Sequence, residues 1–357
     1  MRLRAQASPG GNRSHPSCAQ DAKCRGQIVL RPSIEGHAKT AGLQAWRAAE
    51  GLPENRRGRI QDRGNVRGAM NSGESKGTVA GLIQLARPRQ WVKNVFVFAP
   101  LVFAREFTNP ASIKLSLLAF VLFCVASSAC YIVNDLHDVE RDRRHPTKRL
   151  SRPLAAGRVS RGAALSLLGV ILAGLVLTAV FQPYVMAVIA GYLALNIAYT
   201  FVLKHQPVLD IFSIAIGFVL RIWAGAVVID VPLSGWMQIT TLCLALYLAA
   251  VKRRQELLGS GSDGREVLEK YSPALIERYA EMSATGALVF YSLFVMSANQ
   301  ALTATIPLVI FGLFRYWYVV ERLGGGESPT DALLSDLPLL ATAVAWIAVC
   351  GIVLYSS

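Results

Sequence analysis

A chain of 357 residues has room for two soluble domains, yet 53% of it is hydrophobic and only 17% charged. Those values exclude general disorder and fit a polytopic membrane protein. The formal net charge of +14 would suit a nucleic-acid binder, but thirteen Lys/Arg against five Asp/Glu put a net +8 of it in residues 1–69.

That segment is rich in Gly, Arg, Ser and Asn, with no long apolar run and no sustained period. It is expected to be disordered, because it cannot bury enough surface to offset chain entropy. It lacks the apolar core of a signal peptide. From Met70 the text changes to NSGESKGTVAGLIQLARPRQW, which reads as a natural amino terminus, so residues 1–69 are expected to be an over-extended start and 70–357 the functional domain. The six cysteines are scattered, and Cys124, Cys130, Cys243 and Cys350 fall in apolar runs. They read as small hydrophobes, not as a disulfide framework or a zinc site.

Beyond Met70 the apolar runs fall near 92–108, 112–133, 161–181, 184–203, 208–229, 235–251, 282–301, 303–320 and 335–355. About 20 residues cross a bilayer core, so the expected fold is all-α, a bundle of nine transmembrane helices. Basic residues concentrate in 135–161 (Arg141, Arg143, Arg144, Lys148, Arg149, Arg152, Arg158, Arg161) and in 252–278 (Lys252, Arg253, Arg254, Arg265, Lys270, Arg278). With nine spans both segments share a side with the amino terminus, which the positive-inside rule makes cytoplasmic. The same pattern leaves nucleic acid as no expected partner.

The end of the second span reads YIVNDLHDVERDRRHPTKRLSRPLAAGRVS, from Tyr131 to Ser160. Asn134, Asp138 and Asp142 are spaced i, i+4, i+8 and Asp135 precedes Asp138 by three, so a continuing helix places all four on one broad face. Crowded carboxylates repel unless a cation is present, and hard oxygen ligands that leave positions open for phosphates suit Mg²⁺. Acids at the edge of an apolar helix are expensive and point to function. Lys148, Arg149 and Arg152 follow and would bind the same phosphates, although a solvated loop obeying the positive-inside rule accounts for them equally. Asp210 and Arg221 lie three turns apart in the fifth span, about 16 Å along one face. Mid-span Arg221 is expected to meet phosphate or to form an ion pair with a neighbouring helix. Tyr199 and Lys204 end the fourth span on the cytoplasmic side. His137, His145 and His205 stay unassigned.

NDLHDVERD resembles the N-D-x-x-D-x-x-x-D signature of the UbiA superfamily of intramembrane prenyltransferases, which implies a nine-helix bundle with a cytoplasm-facing cavity. ARPRQWVKNVFVFAPL (86–101), HPTKRLSRPLAAG (145–157), LDIFSIAIGFVLRIWAGAVVIDVPLSGW (209–236) and KRRQELL (252–258) are similar to its decaprenyl-phosphate phosphoribosyltransferase branch. The resemblance runs from about residue 82 to the carboxyl terminus. It makes Lys93 a site candidate that snorkelling would otherwise explain. Typical prenyl-diphosphate-using members carry a second Asp-rich motif after the sixth span, and 252–273 has Glu256, Asp263, Glu266 and Glu269 but no D-x-x-D. Lys252, Arg253, Glu256 and Arg221 are instead expected to form a mainly cationic wall.

The resemblance thus implies transfer of 5-phosphoribose from phosphoribosyl pyrophosphate to a polyprenyl phosphate at the cytoplasmic face of the plasma membrane. Asn134, Asp135, Asp138 and Asp142 would hold Mg²⁺, with the three aspartates catalytic. Lys93, Lys148, Arg149, Arg152, Tyr199, Lys204, Asp210, Arg221, Lys252, Arg253 and Glu256 would bind substrate. The alternatives are an aromatic prenyltransferase of the 4-hydroxybenzoate type, against which the missing second motif argues, and a transporter of anionic lipids.

Overall fold

Each long apolar run becomes a helix whose ends are set by local chemistry. The computed structural model describes residues 79–259, 266–322 and 329–356, all within the unit Arg63–Ser357; the segment 1–69 and the start at Met70 lie outside them. Among the described residues every regular element is helical, and eight helices are long and apolar enough to cross a membrane. These are α1 (Pro110–Arg144), α2 (Arg161–Ala179), α3 (Pro183–Phe201), α4 (Leu209–Val228), α5 (Gly235–Gly259), α6 (Pro273–Ala298), α7 (Ile306–Arg322, entered through a 3₁₀ turn Gln300–Thr305) and α8 (Leu337–Ser356). The chain is a multi-pass membrane protein.

Capping residues fix several boundaries. Asn109 accepts from the Ala111 N–H at 3.0 Å with Pro110 as the first helical residue of α1. Ser160 accepts from Ala163 N–H at 3.1 Å to open α2, and Ser272 accepts from Leu275 N–H at 3.2 Å ahead of Pro273 to open α6. That last cap is why α6 starts at Pro273 and not at 282, where hydropathy alone places it. Similarly α5 runs on to Gly259, so Lys252, Arg253 and Glu256 ride on a helix and not on a loop.

The pass expected over 92–108 differs. Pro88–Phe98 is a 3₁₀ helix followed by a single α-helical stretch, Ala99–Phe103. Pro100 has no N–H and would clash with the carbonyl four residues earlier, which disfavours a continuous α-helix and suits the first turn of the new one. Even so, eleven residues at ~2.0 Å and five at ~1.5 Å cover roughly 30 Å, the thickness of a hydrocarbon core. This entry segment packs against α1 and α4. Only glycine fits at position 225 of α4, because a Cβ there would collide with the Val97 carbonyl.

α4 is the hub. It touches α1, α3, α5 and the entry segment, while α5 and α6 form the most extensive pairing. One buried cluster joins Val97, Phe123, Ile189, Tyr192 and Ala224 across four of these elements. A second joins Tyr247, Val251, Tyr271, Ile276 and Tyr316 across α5–α7. Exposed Val170, Val176, Val344 and Ile347 on α2 and α8 are the faces left for lipid.

Candidate active site

At ~1.5 Å per residue the 35 residues of α1 reach roughly 52 Å. A hydrocarbon core takes about 20 of them, so the helix emerges near Cys130 and carries its acidic end into the interface. There Asn134, Asp138 and Asp142 line one polar cavity with Arg141, Lys148, Arg152, Tyr199, Lys204 and His205. The i, i+4, i+8 spacing therefore does what a helical face requires. Lys204, buried at the end of α3, donates to Asp138 at 3.0 and 3.3 Å. Lys148 and Arg87 are cations within electrostatic reach of Asp142.

Asp135 departs from the expectation of a single face. One residue on from Asn134 it is turned about 100° around the helix, and its buried carboxylate is not among the groups lining the cavity. Oδ1 accepts from Arg87, which reaches over from the entry segment, and from Arg152 at 2.7 Å. Oδ2 is buried with no hydrogen-bond partner. Among the described residues no three His, Cys, Asp or Glu groups stand close enough to hold a metal ion, so the four expected ligands do not form a ready cage. The donor chemistry still fits a hard divalent cation: two carboxylates and a carboxamide line the cavity, and a third carboxylate beside it keeps one oxygen unsatisfied.

Three further expectations need correction. Arg149 is exposed on the short helix Lys148–Ser151 and does not line the cavity. Arg253, expected to face phosphate, is 2% exposed and held within the protein: Nε donates to Asp210 at 2.7 Å, Nη2 to the Tyr199 hydroxyl at 2.9 Å, and Nη1 to Glu256. Asp210 is completed by the Tyr271 hydroxyl at 2.8 Å. Burial pushes the Tyr271 phenol well up from its ordinary range, with the Asp210 carboxylate adding to the shift, so it stays protonated and donates. With Lys252 3.7 Å from Glu256, the two carboxylates of Asp210 and Glu256 balance the two cations of Arg253 and Lys252, and the group does not make a cationic wall.

Arg221 is the third. Among the described residues it meets neither a carboxylate nor the acidic cavity: Nε donates to Asn94 at 2.8 Å, Nη1 to the Gly217 carbonyl at 2.6 Å and Nη2 to Tyr192 at 3.1 Å. The rings of Tyr192 and Phe218 lie 4.8 and 5.1 Å from its guanidinium carbon. Lys93 is within electrostatic reach of Lys252, Arg221 and Arg87, and of Asp331 on the short helix Pro329–Ser335.

Residues that the sequence reading does not assign are Arg87, Tyr271 and Asp331. Arg87 sits in the RPRQW block, where snorkelling is explanation enough. Tyr271 and Asp331 carry no local signal, since their partners are distant in the chain.

The profile of the UbiA prenyltransferase family matches residues 95–332, more than half of the chain. The chain belongs to the UbiA prenyltransferase family. Within it, the decaprenyl-phosphate phosphoribosyltransferase of Mycolicibacterium smegmatis is 38% identical over 309 residues, covering 80% of this chain and 96% of that protein. The protein of the same name from Corynebacterium glutamicum is 37% identical over 288 residues, covering 76% and 86%. Among solved structures, a UbiA homologue from Archaeoglobus fulgidus bound to GPP and Mg²⁺ matches with a TM-score of 0.61 at 20% identity, over 77% of this chain and 99% of that one. That likeness carries the UbiA fold.

Proposed function

We propose that this protein transfers the 5-phosphoribosyl group of phosphoribosyl pyrophosphate to a polyprenyl phosphate of the decaprenyl type and releases pyrophosphate. The observation that carries the reading is one polar cavity at the end of α1 in which Asn134, Asp138 and Asp142 face Lys148, Arg152 and Lys204. Hard oxygen donors and phosphate-binding cations around one cavity suit a sugar diphosphate that carries a further phosphate, and the missing second Asp-rich motif argues against a prenyl diphosphate. The relatives named above, matched over nearly their whole length, support the same choice.

In this mechanism the bond between ribose C1 and the pyrophosphate oxygen breaks as a lipid phosphate oxygen bonds to C1. The nucleophile is already ionised at neutral pH, so no strong general base is required. Lys148 and Arg152 bind phosphate oxygens at the aqueous mouth and orient C1 toward the bilayer. Lys204 holds Asp138 in place, and Lys93 and Lys252 add positive charge for the second phosphorylated substrate. Asn134, Asp138 and Asp142, with the unsatisfied oxygen of Asp135, are the groups that would hold Mg²⁺. An ion held there would supply charge against the departing diphosphate. The positive-inside arrangement supports a cytoplasmic site and amino terminus in a plasma membrane.

The test is purified protein in lipid nanodiscs. With phosphoribosyl pyrophosphate and decaprenyl phosphate it should release pyrophosphate and yield a lipid heavier by one phosphoribosyl group in mass spectrometry. Prenylated hydroxybenzoate formed from farnesyl diphosphate, with no pyrophosphate from the phosphoribosyl donor, would replace this reading by the aromatic prenyltransferase. Lipid movement with no pyrophosphate release in either assay would indicate a transporter.

A further inference from the structure

The turn between α3 and α4 holds a β-branched residue in a conformation that side chains rarely adopt. Val208 has φ +69° and ψ −47°, and the Pro207 carbonyl accepts from the Leu209 N–H at 2.8 Å. Together these close a three-residue γ-turn in its φ-positive form, which is rare and strained, where the mirror form is common. A branched Cβ makes the left-handed region more costly still, and glycine, which adopts it freely, is absent. Such a backbone persists only where its surroundings hold it.

The hold comes from another part of the chain. The Tyr271 hydroxyl, on the stretch leading into α6, accepts from the Val208 N–H at 2.6 Å and donates to Asp210 at 2.8 Å. Asp210 is anchored in turn by Arg253. One phenolic oxygen therefore clamps both sides of the γ-turn to the buried network on α5. On the amino-terminal side, four and three residues before Val208, are Lys204 and His205, both lining the acidic cavity, with Lys204 on Asp138. A relaxation of Val208 to negative φ would rotate the backbone between these residues and α4 by well over ~100°, the separation of the two allowed regions.

We propose that Tyr271 is a positioning residue that keeps the Val208 γ-turn closed and so sets the Lys204 ammonium against Asp138 on the wall of the cavity. The kinetic part of this inference rests on the phosphoribosyl-transfer reading; the structural part does not.

The experiment compares wild type, Tyr271→Phe and the double variant Tyr271→Phe/Val208→Gly as full-length protein in nanodiscs. It reads hydrogen exchange of peptides covering 202–210 and the steady-state constants for phosphoribosyl pyrophosphate. Tyr271→Phe should speed exchange about tenfold and lower kcat about tenfold, with KM for the sugar within threefold of wild type. Adding Val208→Gly should bring exchange and kcat back to within threefold, because a glycine adopts this turn without the clamp. Wild-type exchange and kcat in Tyr271→Phe would overturn the proposal, as would a double variant no better than the single one. If wild-type protein transfers no phosphoribose, the transferase reading falls and exchange alone decides: slower exchange in the double variant than in Tyr271→Phe supports the clamp, and equal exchange refutes it.

Discussion

Replacing Arg253 by methionine separates a structural cation from a substrate-binding one. Asp210 is 0% exposed and Arg253 2%; their 2.7 Å contact and the links from Arg253 to Tyr199 and Glu256 make this a buried network. Without the guanidinium, Asp210 keeps the Tyr271 donor on Oδ1, and Oδ2 is left charged and dry. Removing one partner of a buried pair costs about 3–5 kcal/mol, while replacing both by neutral groups of similar volume is often near neutral. Adding Asp210→Asn to Arg253→Met should therefore recover at least about 2 kcal/mol, a coupling in the range expected of groups in contact. Heat inactivates such proteins irreversibly, so the readout is the apparent melting temperature from size-exclusion after heating. At roughly 2–4 °C per kcal/mol for a chain of this size, Arg253→Met should lose about 6–20 °C and the double variant about 4–8 °C less. Wild-type melting in Arg253→Met, together with a KM for phosphoribosyl pyrophosphate raised tenfold or more, would refute the structural assignment and return Arg253 to the substrate.

Asp138→Asn should lower turnover by at least a hundredfold with little change in melting temperature; a fully active variant would remove Asp138 from the catalytic group. Lys204→Met should be impaired in the same assay, because its ammonium sits on Asp138. Chelation with EDTA should abolish pyrophosphate release, with Mg²⁺ restoring it, and persistence of activity after exhaustive chelation would contradict the role given to Asn134, Asp138 and Asp142. Arg152→Ala should raise the KM for the phosphorylated sugar, whereas Arg149→Ala should leave it within twofold, and equal effects would mean that both are general loop charges. Gly225→Leu should yield little folded protein by fluorescence-detected size-exclusion, since the Val97 carbonyl occupies that space; wild-type yield would show that the entry segment can move aside.

Hydropathy suffices for the long spans, because crossing a bilayer demands about 20 apolar residues whatever the tertiary context. The acidic face is legible too: Asn134, Asp138 and Asp142 obey a period internal to one helix. What sequence spacing does not convey is which partner a buried charge finds. Asp210 and Arg221 share a helix face, yet Asp210 turns to Arg253 of α5 and Arg221 to Asn94, 127 residues away. Asp135 falls outside the i, i+4, i+8 row, and Arg87 and Arg152, from the two sides of α1 in the chain, claim its carboxylate. Pro100 is a signal present in the sequence that hydropathy ignores, since its missing N–H already marks an interruption within 92–108.

The bond between Arg221 and Asn94 also has a bearing on how the protein is made. The entry segment emerges early, with an amide side chain at its centre and a proline that interrupts its helical hydrogen bonding. α1 follows soon and offers the Cys124 and Ser127 side chains to the Asn94 amide nitrogen. The guanidinium that donates to the amide oxygen is translated 127 residues later, roughly 6–25 s at ordinary synthesis rates. During that interval the segment has a polar core and no completed socket, so it must wait at the interface, against α1 or under the care of the insertion machinery. Its final seating is then a late step of biogenesis, triggered when α4 enters the bilayer, even though the segment itself precedes every long span.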